Sequence, residues 1–154
     1  MEPQYFQDRI PHNHCYGCGP ANAHGLRLKS YWQDNTALAV FVPQPYHAAG
    51  PQQFLNGGII ATIIDCHCIC TAIADCYRRE RRAIGSEPDI WCVTASLKVD
   101  YLQPTPIDKP VTLRAQIAES GPKKIWLECS VLSAAEECVR AEVLAIRVPA
   151  SWRG

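Results

Sequence analysis

The sequence lacks an excess of charge of either sign. Its 154 residues include 15 Lys+Arg and 15 Asp+Glu, a formal net charge of zero. Because neutralising phosphates supplies much of the affinity for DNA and RNA, a nucleic-acid partner is not expected. The low hydrophobicity of disordered chains is also absent, since 47% of the residues are hydrophobic. Together with the length, these values predict a single folded domain over residues 1–154.

Neither a targeting segment nor a membrane-spanning segment is expected from the sequence. Residues 1–9 have neither a basic start nor the apolar run of a signal peptide. The longest apolar stretch, residues 57–74, is interrupted by Asp65 and His67 and is too polar for a membrane span. We therefore expect a cytoplasmic protein without a membrane partner.

The nine cysteines are an odd number and show no spacing that predicts a disulfide framework. Cys66, Cys68 and Cys70 lie two residues apart, and residues two apart on a helix point in different directions and rarely pair. Most of the cysteines are therefore predicted to be reduced and buried.

The chain is organised as an irregular leader, a hairpin, one long helix and a second group of strands. Residues 1–24 are polar and rich in proline and glycine, which predicts a leader or lid. Strands are predicted at residues 26–32, 36–42, 93–101, 111–117, 125–131 and 139–148. The last four are joined by short connections and are interpreted as an antiparallel meander. One helix covered by one sheet makes the fold class α+β.

The helix is predicted to run from Asn56 or Gly57 to about Ala83, with Asn56 as its N-cap. Apolar residues recur every three or four positions, at Ile59, Ile63, Cys66, Cys70, Ile73 and Tyr77. A second stripe of mostly small residues contains Gly58 and Asp65, so the helix should be buried on more than one side.

The chief candidate for chemistry is Asn56-Gly57-Gly58 followed by Asp65. Two glycines at a helix start expose N–H groups that favour a developing negative charge, as in an oxyanion hole. Asp65 lies among apolar residues, where desolvation should raise its pKa toward the range of a general base. Alternatively, the glycines make a tight helix start and Asp65 is a hydrogen-bonded core residue.

Asp65 lies eight residues past Gly57, about 12 Å along the axis at ~1.5 Å per residue. One helix cannot hold both groups on one reacting carbon, whereas two copies related by two-fold symmetry could. This spacing predicts a dimer.

Residues 55–65, Leu-Asn-Gly-Gly-Ile-Ile-Ala-Thr-Ile-Ile-Asp, resemble the His-Gly-Gly-x6-Asp signature of hotdog-fold acyl-CoA thioesterases of the PaaI type. The leader segment 15–26 and the segment 101–104 resemble parts of the same family. The resemblance implies a curved antiparallel sheet around a central helix, in homodimers that often pair into homotetramers. It also implies an acyl-CoA substrate, an active site at the dimer interface and no metal or redox cofactor.

By this resemblance Asp65 is the general base or the nucleophile, and Gly57 and Asn56 hold the carbonyl oxygen. Thr94 orients the water and, with Gly58 and Gln53, belongs to the substrate-binding residues. Asn56 stands where the family usually has His, and it can donate a hydrogen bond but cannot change charge near neutral pH.

Several alternatives remain open at this point. The first is a non-catalytic protein that binds an acyl thioester, which Asn56 in place of His favours. Enoyl-CoA hydration is a lesser alternative. Metal binding is the second, through His12, His14, Cys15, Cys18 and possibly His24.

His67 is expected to be a core or interface residue. The arginines at the helix end are expected to be solvated rather than to bind coenzyme A phosphates; they are Arg78, Arg79, Arg81 and Arg82.

Overall fold

A computed structural model describes residues 2–153, so the outermost residues of the predicted 1–154 domain lie outside the described range. The helices are α1 (Phe6–Arg9) and α2 (Gly57–Arg79). The strands are β1 (Ser30–Gln33), β2 (Thr36–Phe41), β3 (Trp91–Tyr101), β4 (Val111–Ser120), β5 (Lys124–Ser133) and β6 (Glu136–Val148). The α+β prediction is confirmed, and the leader, predicted to be irregular, contains the short helix α1.

Helix α2 begins where predicted, because the Asn56 side chain accepts a hydrogen bond from the Ile59 N–H at 3.0 Å. It ends at Arg79, four residues before the predicted end at Ala83. Arg81 has φ 56°, and the next N–H, of Arg82, donates to the Tyr77 carbonyl at 3.0 Å. This is a Schellman cap with arginine in the left-handed conformation. A glycine at this position would have indicated the end of the helix in the sequence.

The six strands form one antiparallel sheet in the order β1-β2-β4-β5-β6-β3. Strands β4, β5 and β6 are a meander, but the predicted four-strand meander is wrong because β3 pairs with β6 instead of β4. The connection of residues 102–110 is long and contains three prolines, so it is no hairpin turn, and β4 pairs with β2. Alternation predicts a strand but does not choose its neighbour.

The sheet curves around α2, which contacts all six strands. A flat six-stranded sheet would be about 24 Å wide, about twice the diameter of one helix, so these contacts require curvature. The expectation that residues 57–74 are too polar for a membrane span is wrong, because α2 is long and apolar enough to cross a membrane, but 61% of its most apolar 18-residue window is buried within this fold. Its packing is that of a core helix.

Candidate active site

The central pair of the candidate site is Asp65 on α2 and Thr94 on β3. The Thr94 hydroxyl donates a hydrogen bond to Asp65 Oδ1, with 2.5 Å between the oxygens. Asp65 is half-buried and Thr94 is exposed, so the pair lies at a surface opening and not deep in the core. The structure thus brings together two residues that are 29 positions apart.

A β-bulge turns Thr94 toward the helix. Thr94 pairs with Ala145 and Ser96 pairs with Leu144, which leaves Ala95 as the extra residue on β3. Strict alternation would put Thr94 and Tyr101 on opposite faces, yet both contact α2. The extra residue switches the face, and the period-two pattern of the sequence contains no sign of it.

Asp65 and Thr94 line a cavity of about 240 Å³ between α2, β3 and the leader. Its other lining residues are Ile10, Asn13, Cys15, Cys18, Cys66, Ile69, Cys70, Ile73, Trp91, Cys92 and Val93. Desolvation by this mostly apolar wall raises the pKa of Asp65, the Thr94 hydrogen bond opposes the rise, and the nearby Cys18 adds to it. A carboxylate with a raised pKa beside a cavity is suited to accept a proton.

The N-terminus of α2 forms a second feature, away from Asp65. The N–H groups of Gly57 and Gly58 lie in the first turn, where an α-helix leaves N–H groups without intrahelical partners. The Tyr101 hydroxyl donates to the Gly57 carbonyl at 2.6 Å, a contact that the sequence interpretation missed. Gly57 and Tyr101 line their own cavity of about 410 Å³.

Within one chain, three of the six predicted site residues line a cavity, Asp65 and Thr94 the first and Gly57 the second. Neither Asn56 nor Gly57 lines the cavity of Asp65 and Thr94. Asn56 and Gly58 are exposed at the helix start, and Gln53 is exposed in the preceding loop, where its carbonyl accepts from the Ile107 N–H. This division agrees with the separation of about 12 Å along the helix axis that the sequence predicts between Gly57 and Asp65.

His67 belongs to the core. It is fully buried, its Nδ1 lies 2.7 Å from the Ser30 hydroxyl and its Nε2 lies 3.0 Å from the Ala37 carbonyl oxygen. Burial lowers the pKa of His67 to about 4, so the ring is neutral. The predicted core role is confirmed, with both ring nitrogens bonded instead of one.

Three of the four arginines at the end of α2 are held by intramolecular contacts. Arg78 and Arg79 form ion pairs with Asp75, and Arg78 also stacks on the Trp32 ring at 3.8 Å. Arg82 pairs with Glu80 at 3.0 Å. These contacts engage three guanidinium groups within the chain and so disfavour their binding of coenzyme A phosphates, while Arg78 and Arg79 remain partly solvated, at 41% and 38% exposed.

The proposed histidine ligands of the leader do not come together. Among residues 2–153, one group of side chains is close enough to share a metal ion, and it consists of Cys15, Cys18 and Cys66. His12, His14 and His24 are exposed and stand outside that group. All nine cysteines are unpaired and eight are buried, Cys15 being the exposed one.

The central helix is enclosed by a curved antiparallel sheet, and its acidic residue faces a threonine of the edge strand. This architecture is that of a hotdog-fold protein of the thioesterase class. The family model of the thioesterase superfamily matches residues 52–139, more than half of the chain, and the chain belongs to this family. All six predicted site residues lie in the matched segment, whereas Cys15 and Cys18 lie outside it.

Solved structures and curated proteins point to the same family. A thioesterase superfamily protein from Shewanella loihica PV-4 is 35% identical, covers 90% of this chain and 96% of its own, and superposes with a TM-score of 0.68. The PaaI protein of the E. coli phenylacetic acid degradation operon has a TM-score of 0.65 at 13% identity over 80% of this chain and 81% of its own, which shows the fold alone.

Acyl-coenzyme A thioesterase THEM4 of Xenopus laevis is 28% identical over 109 residues, 71% of this chain and 43% of that protein. The rat THEM4 protein is 26% identical over 100 residues, 65% of this chain and 37% of its own length. The chain thus spans less than half the length of these curated relatives. The predicted family and hotdog fold are confirmed.

Proposed function

We propose that this protein hydrolyses an acyl-CoA thioester to a free acid and coenzyme A. The observation that carries the proposal is the half-buried Asp65 carboxylate, bonded to the Thr94 hydroxyl at 2.5 Å on the wall of an apolar cavity. Family membership and the names of the THEM4 relatives support the same class of reaction.

Asp65 acts as the general base in this proposal. The Thr94 hydrogen bond engages Oδ1 and leaves Oδ2 to take a proton from water while the water oxygen attacks the thioester carbonyl carbon. The carbon–sulfur bond then breaks, and the proton passes to the departing thiolate of coenzyme A. If Asp65 is instead the nucleophile, its carboxylate oxygen bonds to the carbonyl carbon and the carbon–sulfur bond breaks, which releases the coenzyme A thiolate and leaves an acyl anhydride; water hydrolyses this anhydride to the free acid and the Asp65 carboxylate in a second step.

The oxyanion is stabilised by the helix start of a second copy. Gly57 and Gly58 present first-turn N–H groups at the positive end of α2, and Asn56 keeps an amide N–H₂ group because its oxygen caps the helix. These groups lie outside the Asp65 cavity of their own chain. A complete site therefore combines the carboxylate of one chain with the helix start of its partner, and Gln53 in the preceding loop contacts the substrate there.

The edge strand β3 supports such a dimer. It has one neighbour in the sheet, β6, and its residues 94–98 are all exposed. A strand edge offers unpaired N–H and C=O groups to a second copy of the chain. Leu97 on this strand is 38% exposed and would be covered by the pairing. We propose a homodimer, or a homotetramer built from two such dimers.

Thiol release from a panel of acyl-CoAs, measured beside light scattering of the same samples, tests the proposal. We expect hydrolysis by a dimeric or tetrameric species and its loss in Asp65→Asn. A fully active monomer would contradict the composite site, and unchanged turnover in a folded Asp65→Asn protein would contradict the role of Asp65.

The second candidate is an acyl-thioester-binding protein without turnover. Asn56 favours it, since its side-chain oxygen is engaged by the Ile59 N–H and the residue cannot carry a proton as histidine can. Calorimetric binding of acyl-CoA without thiol release would support this role and exclude hydrolysis.

A further inference from the structure

Four cysteines that the proposed hydrolysis does not use meet between the leader and α2. The Cys15 and Cys66 sulfurs are 3.5 Å apart, and the Cys18 and Cys70 sulfurs are 3.7 Å apart. The sulfurs of Cys15, Cys18 and Cys66 all lie within 4.8 Å of one another. We call these four residues the thiol cluster.

The leader side of the cluster is a tight loop of sequence Cys-x2-Cys-Gly. The Gly19 N–H donates to the Cys15 carbonyl at 2.8 Å, and a Cβ on Gly19 would lie 2.4 Å from the Cys15 nitrogen. A Cβ on Gly17 would lie 2.3 Å from the Cys66 sulfur. Both glycines are thus needed for the loop to turn its two thiols onto the helix. Cys-x2-Cys is a common half of a zinc site.

The helix side supplies the other half. Cys66 and Cys70 are four residues apart on α2 and so lie on the same face, one turn above the other. The two segments together contribute four thiols from two pairs, the ligand number of a structural zinc site. The family model begins at residue 52 and does not include the leader pair.

Asn13 is placed as an outer partner of the cluster. It is 5% exposed, its Nδ2 group donates to the Cys18 sulfur at 3.7 Å, and its Oδ1 accepts from the Cys15 N–H at 3.1 Å. Metal ligands are commonly oriented by hydrogen bonds of this kind. The Asn13 amide thus shapes the loop, and its N–H group would stabilise a negative charge on the Cys18 sulfur.

We propose that Cys15, Cys18 and Cys66 bind one Zn²⁺ ion, and that this ion fastens the leader onto α2. Cys70, whose sulfur lies 3.7 Å from that of Cys18 but outside the group of three, becomes the fourth ligand by a shift of its side chain toward the ion. Tetrahedral thiolates at Zn–S ≈ 2.3 Å have sulfurs about 3.8 Å apart, close to the 3.5 and 3.7 Å between the paired sulfurs. The site is distinct from the histidine-containing one considered above and departs from the expectation that no metal is bound. Because all four cysteines line the cavity that also contains Asp65, the ion would form part of the wall of that cavity.

Metal content of the whole protein, purified under reducing conditions without chelator, tests the proposal and needs no substrate. After incubation with Zn²⁺ and desalting, elemental analysis should give about one zinc per chain. Replacing it with Co²⁺ should produce the intense visible absorption of tetrahedral thiolate coordination. The exposed Cys15 makes Cys15→Ser a mild variant, in which zinc retention should fall about tenfold or more while circular dichroism stays native.

Cys138→Ser is the matched control. Cys138 is a buried cysteine of β6 whose thiol donates to the Glu136 carbonyl, outside the cluster, so this variant should keep its zinc. Wild type without bound metal or cobalt absorption would overturn the proposal. So would a Cys15–Cys66 disulfide found by mass spectrometry of the native protein, because it would make the cluster a redox pair.

Discussion

Helix α2 carries two aspartates ten residues apart, Asp65 and Asp75. Although both belong to one helix, their surroundings differ. Asp75 is 5% exposed and forms ion pairs with Arg78 at 3.3 Å and Arg79 at 3.0 Å. Asp65 is half-buried, has a single hydroxyl partner in Thr94 and faces a cavity. Asp75 is paired with two cations of its own helix, whereas the hydrogen-bond partner of Asp65, the Thr94 hydroxyl, carries no charge.

This difference makes Asp65, and not Asp75, the candidate for chemistry. A buried charge with two charged partners is stabilised as it stands and has no free oxygen for a substrate. A desolvated carboxylate with a neutral partner has a raised pKa and keeps one oxygen for a proton. Burial alone does not distinguish them; the chemistry of the partner does.

The largest expected effect comes from Asp65→Asn. Removing the base should lower kcat for acyl-CoA hydrolysis by about 10²–10⁴-fold, because Asn cannot accept the proton of water. Thiol release under saturating substrate measures it. Circular dichroism should show an unchanged fold, and a drop that tracks unfolding would mean that Asp65 is as structural as Asp75.

Thr94→Val comes next. Loss of a hydrogen bond to a charged carboxylate should lower kcat about 10-fold to 100-fold. Since the Thr94 bond lowers the pKa of Asp65, its removal should also shift the acid limb of the pH–rate profile to higher pH. Thr94→Ser keeps the hydroxyl and should restore both kcat and the profile; equal profiles in the two variants would exclude this role.

Asp75→Asn should show the reverse pattern. Its arginine partners are 41% and 38% exposed, so solvent screens the pairs and the expected loss is about 1–2 kcal/mol. Thermal denaturation should show a Tm lower by about 2–8 °C. Activity of the folded protein should stay within about twofold of wild type; a selective loss of kcat would remove the distinction between the two aspartates.

The smallest effect is a gain of stability in Asp65→Asn. Because the folded-state pKa of Asp65 is raised, its ionised form disfavours folding above the unfolded-state pKa. This penalty disappears as pH falls through the raised folded-state pKa. Asp65→Asn should therefore raise Tm by about 1–3 °C near neutral pH and by less in acid. A lower Tm at neutral pH would show that Asp65 stabilises the fold.

The local patterns of the sequence predicted the elements well and their ends less well. The N-cap at Asn56 and the start of α2 follow from residue type and periodicity. The end of α2 was misplaced because Arg81 adopts a left-handed conformation that is typical of glycine. Sequence reasoning also missed the Tyr101–Gly57 contact, because nothing local specifies which helix residue a strand residue will touch.

Local periodicity and one compact motif are enough to predict the α+β class, the central helix, the family and the candidates Asp65 and Gly57. The folded chain alone shows that β3 lies at the sheet edge, that the Ala95 bulge turns Thr94 to Asp65, and that Cys15 and Cys18 meet Cys66. Strand order, bulges and thiol clusters arise from long-range packing, and residues that are 29 or 51 positions apart carry no local signal of their contact.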